Sequence, residues 1–509
     1  MNEPSAFRAA RFGPRFFAVA AILAALVAWG VSGYMQQRLH GDIVTGLRTI
    51  GQGGPAWGLY IVFDIFFVGL ACGGIAFVAF VRLFRLNELR SLSRMAQLMS
   101  LVSLAMSGLC VVADLGRPLH GLMNFPRYAR TMSPFFGTFS LVACTGSLAT
   151  FVYLWLDGRA DAAACASERG PWAWFHRLWA FGWQGSASER WRHRQTSFWL
   201  SLALLPLLVI AYSTLGFVFG IQGGRPGWFS PLQAPGLLVL AGISSMSMLL
   251  VIAAIARRTM GFEEEIKEQV FFWLGNVLWV LGLVYVYILV VEQLTANYAG
   301  FEADARVARA VTSGHYATSF WLMAAGIAVP TIVFFGQLLR RSAWIPLSVT
   351  CALVLNVATV VKRVLIVVPS QTNGMLLPYP EGKYNPTWVE FAVMTGLLSL
   401  GTLLYMTFTR VFPIVPLVTP HDERLEPADR EASGRRMLRL VLFWCMFAVG
   451  VALALFGFAL CARIGNDPWQ DPPVPLSPVI FVVGMVLVFY SAALYEVLPS
   501  RASDARSRH

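Results

Sequence analysis

The sequence predicts an all-α, polytopic transmembrane bundle of about twelve helices, with both termini in the cytoplasm. Three observations carry that prediction. Of 509 residues, 57% are hydrophobic and only 13% are charged, whereas soluble chains carry about 25% charged residues. The mean hydropathy is +0.62. The apolar residues fall in runs of about 20, the length that crosses a bilayer as a helix. Backbone groups in hydrocarbon must satisfy one another, so runs of this length are helical. A soluble enzyme, a disordered chain and a fibrous protein are excluded.

The spans follow in order. The first, at 16–35, comes after Arg8, Arg11 and Arg15 and is reminiscent of a signal peptide. Its length and the lack of an A-x-A site favour a retained anchor. The second, at 57–81, carries Gly69 and Gly73 as GxxxG with Gly74 beside them, a pattern of close helix packing. Spans at 95–113 and 134–156 come next. The stretch 157–197 sets Trp172, Trp174, Trp179 and Trp183 among arginines and reads as an interfacial amphipathic segment. Six more spans lie at 198–220, 235–256, 270–292, 317–339, 345–368 and 388–409. These close a ten-helix body, residues 1–412. A polar connection at 413–437 bears His421, Asp422, Glu423, Arg424, Glu426, Asp429, Arg430 and Glu431. Residues 438–509 then add two spans, 438–462 and 477–498, and a short tail. No strong internal repeat is present.

The cations set the orientation. With the N-terminus inside, 27 of the 39 lysines and arginines fall in inner segments and 10 in outer ones. The remaining two, Lys362 and Arg363, lie inside a span. That asymmetry puts both ends in the cytoplasm. It also accounts for the pI near 9.6 without nucleic acid as a partner.

The seven cysteines form no CxxC and no CxxCH, so no iron–sulfur cluster and no covalent haem is expected on this chain. The seven histidines lie in or beside loops, which leaves no paired axial ligands for a haem within the bilayer.

Ionisable residues inside spans are costly and mark function. Asp64, Glu292, Lys362, Arg363, Glu390 and Glu496 are the candidates, with Asp114 at a span end. Asp64 is about 10 Å below the outer surface, and Lys362 and Arg363 about 9–10 Å, at 1.5 Å per residue. All but Glu496 fall in the outer half. Each has a plain alternative. Lys362 and Arg363 can snorkel, Glu292 and Glu390 can be interfacial, and Asp64 can pair with a cation. As a set they suggest a polar pocket with acids for proton transfer and cations for a carbonyl or anionic ligand. A quinone needs both: its two-electron reduction takes up two protons, and its carbonyls need hydrogen-bond donors. The inner half offers few ionisable residues, which argues against a complete path for protons across the membrane.

The stretch WGLYIVFDIFFVGLACGG at 57–74 resembles the NrfD/polysulfide reductase membrane-subunit family, in particular its PsrC/HybB-like branch. Further similar stretches follow in order: DLGRPLH at 114–120, MSPFFGTFSLVAC at 132–144, PGWFSP at 226–231, the helix end bearing Glu292, and YNPTWVEF at 384–391. The resemblance covers roughly residues 15–415, and the helices after 437 depart from it. It implies two four-helix bundles with flanking helices in the bacterial inner membrane. It implies a subunit without a redox centre of its own. Such a subunit binds menaquinone or ubiquinone near the periplasmic face and exchanges electrons with a ferredoxin-like iron–sulfur subunit. The complex is completed by a further catalytic or cytochrome subunit. By position, Asp64 then faces the quinone, Asp114, Arg117 and His120 stand at the pocket mouth, Glu292 and Glu390 are catalytic proton carriers, and Lys362 and Arg363 contact quinone. Outer loops 113–133, 293–316 and 369–387 are the expected partner contacts.

Two other classes compete. Twelve helices with buried charges also suit a secondary transporter, although repeated halves and matched helix breaks are missing. A membrane anchor without a quinone role is the third reading.

Overall fold

The computed structural model describes residues 12–48, 54–128, 140–166, 171–298, 301–373, 382–417, 433–463 and 477–497. Parts of several expected features lie outside these residues: 134–139 of the fourth span, 129–133 and 374–381 of two outer loops, and 418–432 of the polar connection.

The helices in chain order are α1 (Pro14–His40), α2 (Leu59–Leu83), α3 (Ser93–Asp114), α4 (Pro118–Tyr128), α5 (Ser140–Ala166), α6 (Ala173–Ala180), α7 (Ala187–Gly220) and α8 (Gln233–Met260). They continue with α9 (Glu268–Tyr298), α10 (Glu302–Thr312), α11 (Ala317–Arg340), α12 (Ile345–Val367), α13 (Pro369–Thr372), α14 (Trp388–Val411), α15 (Ser433–Arg463) and α16 (Ser477–Val497). Eleven of them are long and apolar enough to cross a membrane, and the chain is a multi-pass membrane protein. The fourth predicted span is represented by α5. Its 27 residues are about 40 Å long at 1.5 Å per residue.

The helices pack as two four-helix bundles. The first is α2, α3, α5 and α7; the second is α8, α9, α11 and α12. α2 and α7 lie against α8, and α2 also against α12, so the bundles share a wide seam. α1 and α14 pair and lean on α3. α15 and α16 form a hairpin, with α16 against α5 and α7. α2 is the most deeply buried span, and its three glycines show why it can be. A Cβ on Gly73 would collide with Ser245 of α8, and one on Gly74 with Ser100 of α3. A Cβ on Gly69 would press on Tyr212 of α7 and Arg363 of α12. The three residues let α2 touch four neighbours, and close packing is what the GxxxG spacing foretold.

Two expectations for the inner half are corrected. The stretch 157–197 is not a surface segment throughout. α5 continues to Ala166, α7 begins at Ala187 behind a Ser186/Glu189 capping box, and the helix ends carry buried charges. Nor is the inner half poor in ionisable groups. Arg82 pairs with Asp157 (2.6 Å), Arg94 with Asp161 (2.5 Å) and Arg159 with Glu496 (3.0 Å). His193 stands between Asp157 (3.5 Å) and Glu496 (3.2 Å). Hydropathy ends a span at its first charge. Here the helices run on, because opposite charges on neighbouring helices compensate one another.

Candidate functional site

Asp64 sits in the second turn of α2, about 8 Å below the helix start at 1.5 Å per residue. Its relative exposure is 0%. Oδ1 accepts a hydrogen bond from Ser107 of α3 at 2.5 Å. Oδ2 is equally buried and has no hydrogen-bond partner among the described residues. A buried oxygen left this way costs roughly 1–3 kcal/mol, so the position calls for a donor that the described residues do not supply.

A narrow apolar cleft begins one helical turn inward of this carboxyl, at Val68. Val68, Ala71, Cys72 and Ile75 of α2 form one wall and Leu104 of α3 another. Ala143, Gly146 and Thr150 of α5 and Leu207, Leu208 and Ala211 of α7 complete it. Val68 follows Asp64 by four residues, and Leu104 precedes Ser107 by three. Residues so spaced share a helix face, so the Asp64–Ser107 pair lies one turn outward of the cleft on the same faces of α2 and α3. The lining is apolar apart from Thr150, which suits the apolar body of a ligand.

Arg363 lies at the seam of the bundles with 0% exposure. It donates to the Thr359 carbonyl (2.9 Å) and the Ser244 hydroxyl (3.1 Å), and stands over the Phe66 ring at 5.3 Å. Among the described residues no carboxylate comes within ion-pair distance of it. A guanidinium stays charged, so the seam carries a fixed positive charge. Tyr212 of α7, whose hydroxyl donates to the Ile65 carbonyl (3.0 Å), occupies the space beside Gly69 together with Arg363.

Lys362 points elsewhere. Consecutive residues on a helix diverge by about 100° at 3.6 residues per turn. Lys362 therefore enters the second bundle and pairs with Glu292 at 2.8 Å. The two border a separate, narrow cleft with Tyr285, Gln233 and Gly236.

The remaining candidates gather at the outer rim. Glu390, in the first turn of α14, accepts the Gly46 N–H (2.9 Å) and the Tyr384 O–H (2.5 Å). The Tyr384 oxygen in turn accepts the Leu59 N–H at 2.9 Å. Burial and the neighbouring Glu390 charge push the Tyr384 phenol above its ordinary range, so it remains a donor at neutral pH. Asp114 receives Arg48, which also pairs with Asp42. Asp114 lies within electrostatic range of both Asp64 and Glu390. Gln37 donates to Asp42 (2.9 Å) and to the Ala113 carbonyl (3.1 Å), and accepts from Tyr60 (2.8 Å). Arg117 and His120 are exposed at the start of α4. The structure thus joins Asp114 to the rim and leaves Arg117 and His120 on its outside.

Sequence reasoning misses Ser107, Tyr212, Tyr285, Gln37 and Tyr60. All are uncharged, and a search for costly ionisable residues passes over them. Helical spacing from Asp64 identifies the wall of its own helix but not Ser107 on another.

The family model described as polysulphide reductase, NrfD, matches residues 51–373. That range contains both four-helix bundles and ends before α14. A putative membrane subunit of dimethyl sulfoxide reductase from Halobacterium salinarum is 30% identical over 419 residues, covering 77% of this chain and 90% of that protein. A selenate reductase subunit from Mesobacillus selenatarsenatis is 22% identical over 376 residues, covering 70% and 86%.

Proposed function

This chain belongs to the polysulphide reductase NrfD family, and from that premise we propose that it is the quinone-binding membrane subunit of a respiratory oxidoreductase complex. The observation that carries the reading is the buried, unpartnered Oδ2 of Asp64, one helical turn outward of an apolar cleft. The quinone ring enters the first bundle and lies along Val68 and Ala71. One of its oxygens faces Asp64. Reduction of the quinone takes two electrons and two protons; oxidation of the quinol releases them. Asp64 carries protons between that oxygen and the rim, and Ser107 holds the carboxyl in place. The Arg363 charge, unmatched by a carboxylate, stabilises negative charge that develops on the ring. Electrons come from or go to an iron–sulfur subunit of ferredoxin type, docked on the outer face, and beyond it a catalytic or cytochrome subunit.

The excess of inner cations supports an outer face that lies in the periplasm, on a cytoplasmic (inner) membrane. Glu390 and Asp114 form the proton-exchanging rim. Both relatives are named as reductase subunits, which supports this reading over the transporter.

A plug in the cleft tests it. Gly146 opens into the cleft, and a Cβ there meets no atom within 4 Å among the described residues. Gly146→Phe is expected to lower quinone-linked turnover at least about tenfold, the loss of over 1.4 kcal/mol of binding. Dye-linked activity of the soluble partner and assembly of the complex remain. Unchanged quinone-linked turnover would overturn the assignment.

A further inference from the structure

We propose that the cleft between α8, α9 and α12 is a second binding site for a quinone or quinol head group, separate from the one beneath Asp64. The proposal rests on the quinone reading but on different residues. Lys362 is 5% exposed and Tyr285 2% exposed, and both line a narrow cleft whose other walls include Leu237, Ile288 and Ile366.

The unspent polar atoms identify the occupant. Lys362 Nζ uses one N–H on Glu292 Oε2 and has two more. The Tyr285 hydroxyl has no hydrogen bond among the described residues and faces the cleft. Glu292 Oε1 is free to accept. The cleft therefore offers N–H and O–H donors beside one carboxylate oxygen, and the ion pair leaves no net charge. A phosphate would sit against the Glu292 carboxylate, and an ammonium against Lys362. An uncharged, oxygen-bearing amphiphile meets neither penalty. The ester region of a phospholipid and a quinone head group share that chemistry. Esters only accept, and so leave Glu292 without a donor. A quinol hydroxyl donates to Glu292, and the oxygen at the other end of the ring accepts from Lys362 or Tyr285. Binding alone is assigned here, with no electron transfer.

The two clefts share no lining residue. Gly236 keeps the second one open, since a Cβ there would touch only Ile288, at 3.6 Å.

The test is photolabelling of the assembled complex in its membrane with an azido-quinone, followed by peptide mapping. Label is expected in two places, α2/α5 and α8/α9. Gly236→Leu should abolish the α8/α9 label and spare the α2/α5 label, and Gly146→Phe should do the reverse. Tyr285→Phe, which preserves packing, should weaken the α8/α9 label about fivefold to tenfold, the loss of one hydrogen bond. Label confined to α2/α5 overturns the second site and leaves the first standing. So does α8/α9 label that diacyl phospholipid displaces more readily than unlabelled quinone. Absence of label from both clefts overturns both readings.

Discussion

Replacing Asp64 by asparagine is expected to cut quinone-linked turnover by about a hundredfold, the lower end of what a positioned proton carrier contributes. The change is nearly isosteric, and the amide oxygen still accepts from Ser107, whose hydroxyl stands 2.5 Å from Oδ1. The asparagine cannot carry a proton, so packing survives and the chemistry does not. The assembled complex should retain its dye-linked activity, which bypasses quinone. Ser107→Ala should cost less, because it loosens the carboxyl without removing it. If Asp64→Asn turns over quinone at the wild-type rate in an assembled complex, the chain is an anchor with no part in quinone chemistry.

The second large effect lies at the opposite end of the first bundle. Glu496 of α16 and Arg159 of α5 form an ion pair 3.0 Å long, with side-chain exposures of 0% and 1%. Glu496→Ala leaves Arg159 buried beside the Trp155 and Trp183 rings with no carboxylate of its own. Breaking a buried pair from one side costs about 3–5 kcal/mol. His193 loses its contact with Glu496 as well and keeps only Asp157. The attachment of the α15–α16 hairpin to the bundle should suffer most. A protease site introduced between residues 418 and 432 allows the chain to be cut. The cut wild-type protein should retain the hairpin through a detergent wash, and Glu496→Ala should release it. Replacing both partners, Arg159→Met with Glu496→Met, should restore retention, since a matched apolar pair removes the orphaned charge. Equal retention by Glu496→Ala and wild type would show that apolar helix contacts alone hold the hairpin.

How far the sequence foretells this arrangement depends on the kind of signal. Hydropathy reports whether a residue prefers lipid or protein to water, so it locates the spans well. The eleven long apolar helices fall where apolar runs predict them. Hydropathy does not report which helices touch, and the two-bundle arrangement comes from family resemblance. Asp64 stands out because a carboxylate in a span is costly unless used. Ser107 and Tyr212 do not, because an uncharged hydroxyl is common in a span, and only the packing shows that these two donate to α2, at Asp64 and at the Ile65 carbonyl. Lys362 and Arg363 look like one site because they are neighbours in sequence. Helical geometry sends Arg363 to the seam and Lys362 into the second bundle, and only the packing of α8 and α9 shows where Lys362 goes. The inner charges mislead for the opposite reason. Asp157, Arg159 and Asp161 look like a loop, yet each finds an opposite charge on a neighbouring helix. Of the acids the sequence singles out inside spans, Glu496 is the one at an inner helix end, and Arg159 explains its place.

Electron cryo-microscopy of the whole complex, frozen with excess quinone, shows whether quinone binds beneath Asp64 in the first bundle. Head-group density is expected within hydrogen-bond distance of Asp64 Oδ2, with the ring lying along Val68 and Ala71 between α2, α3, α5 and α7. A cleft filled by an acyl chain, with the head group bound away from Asp64, would contradict it.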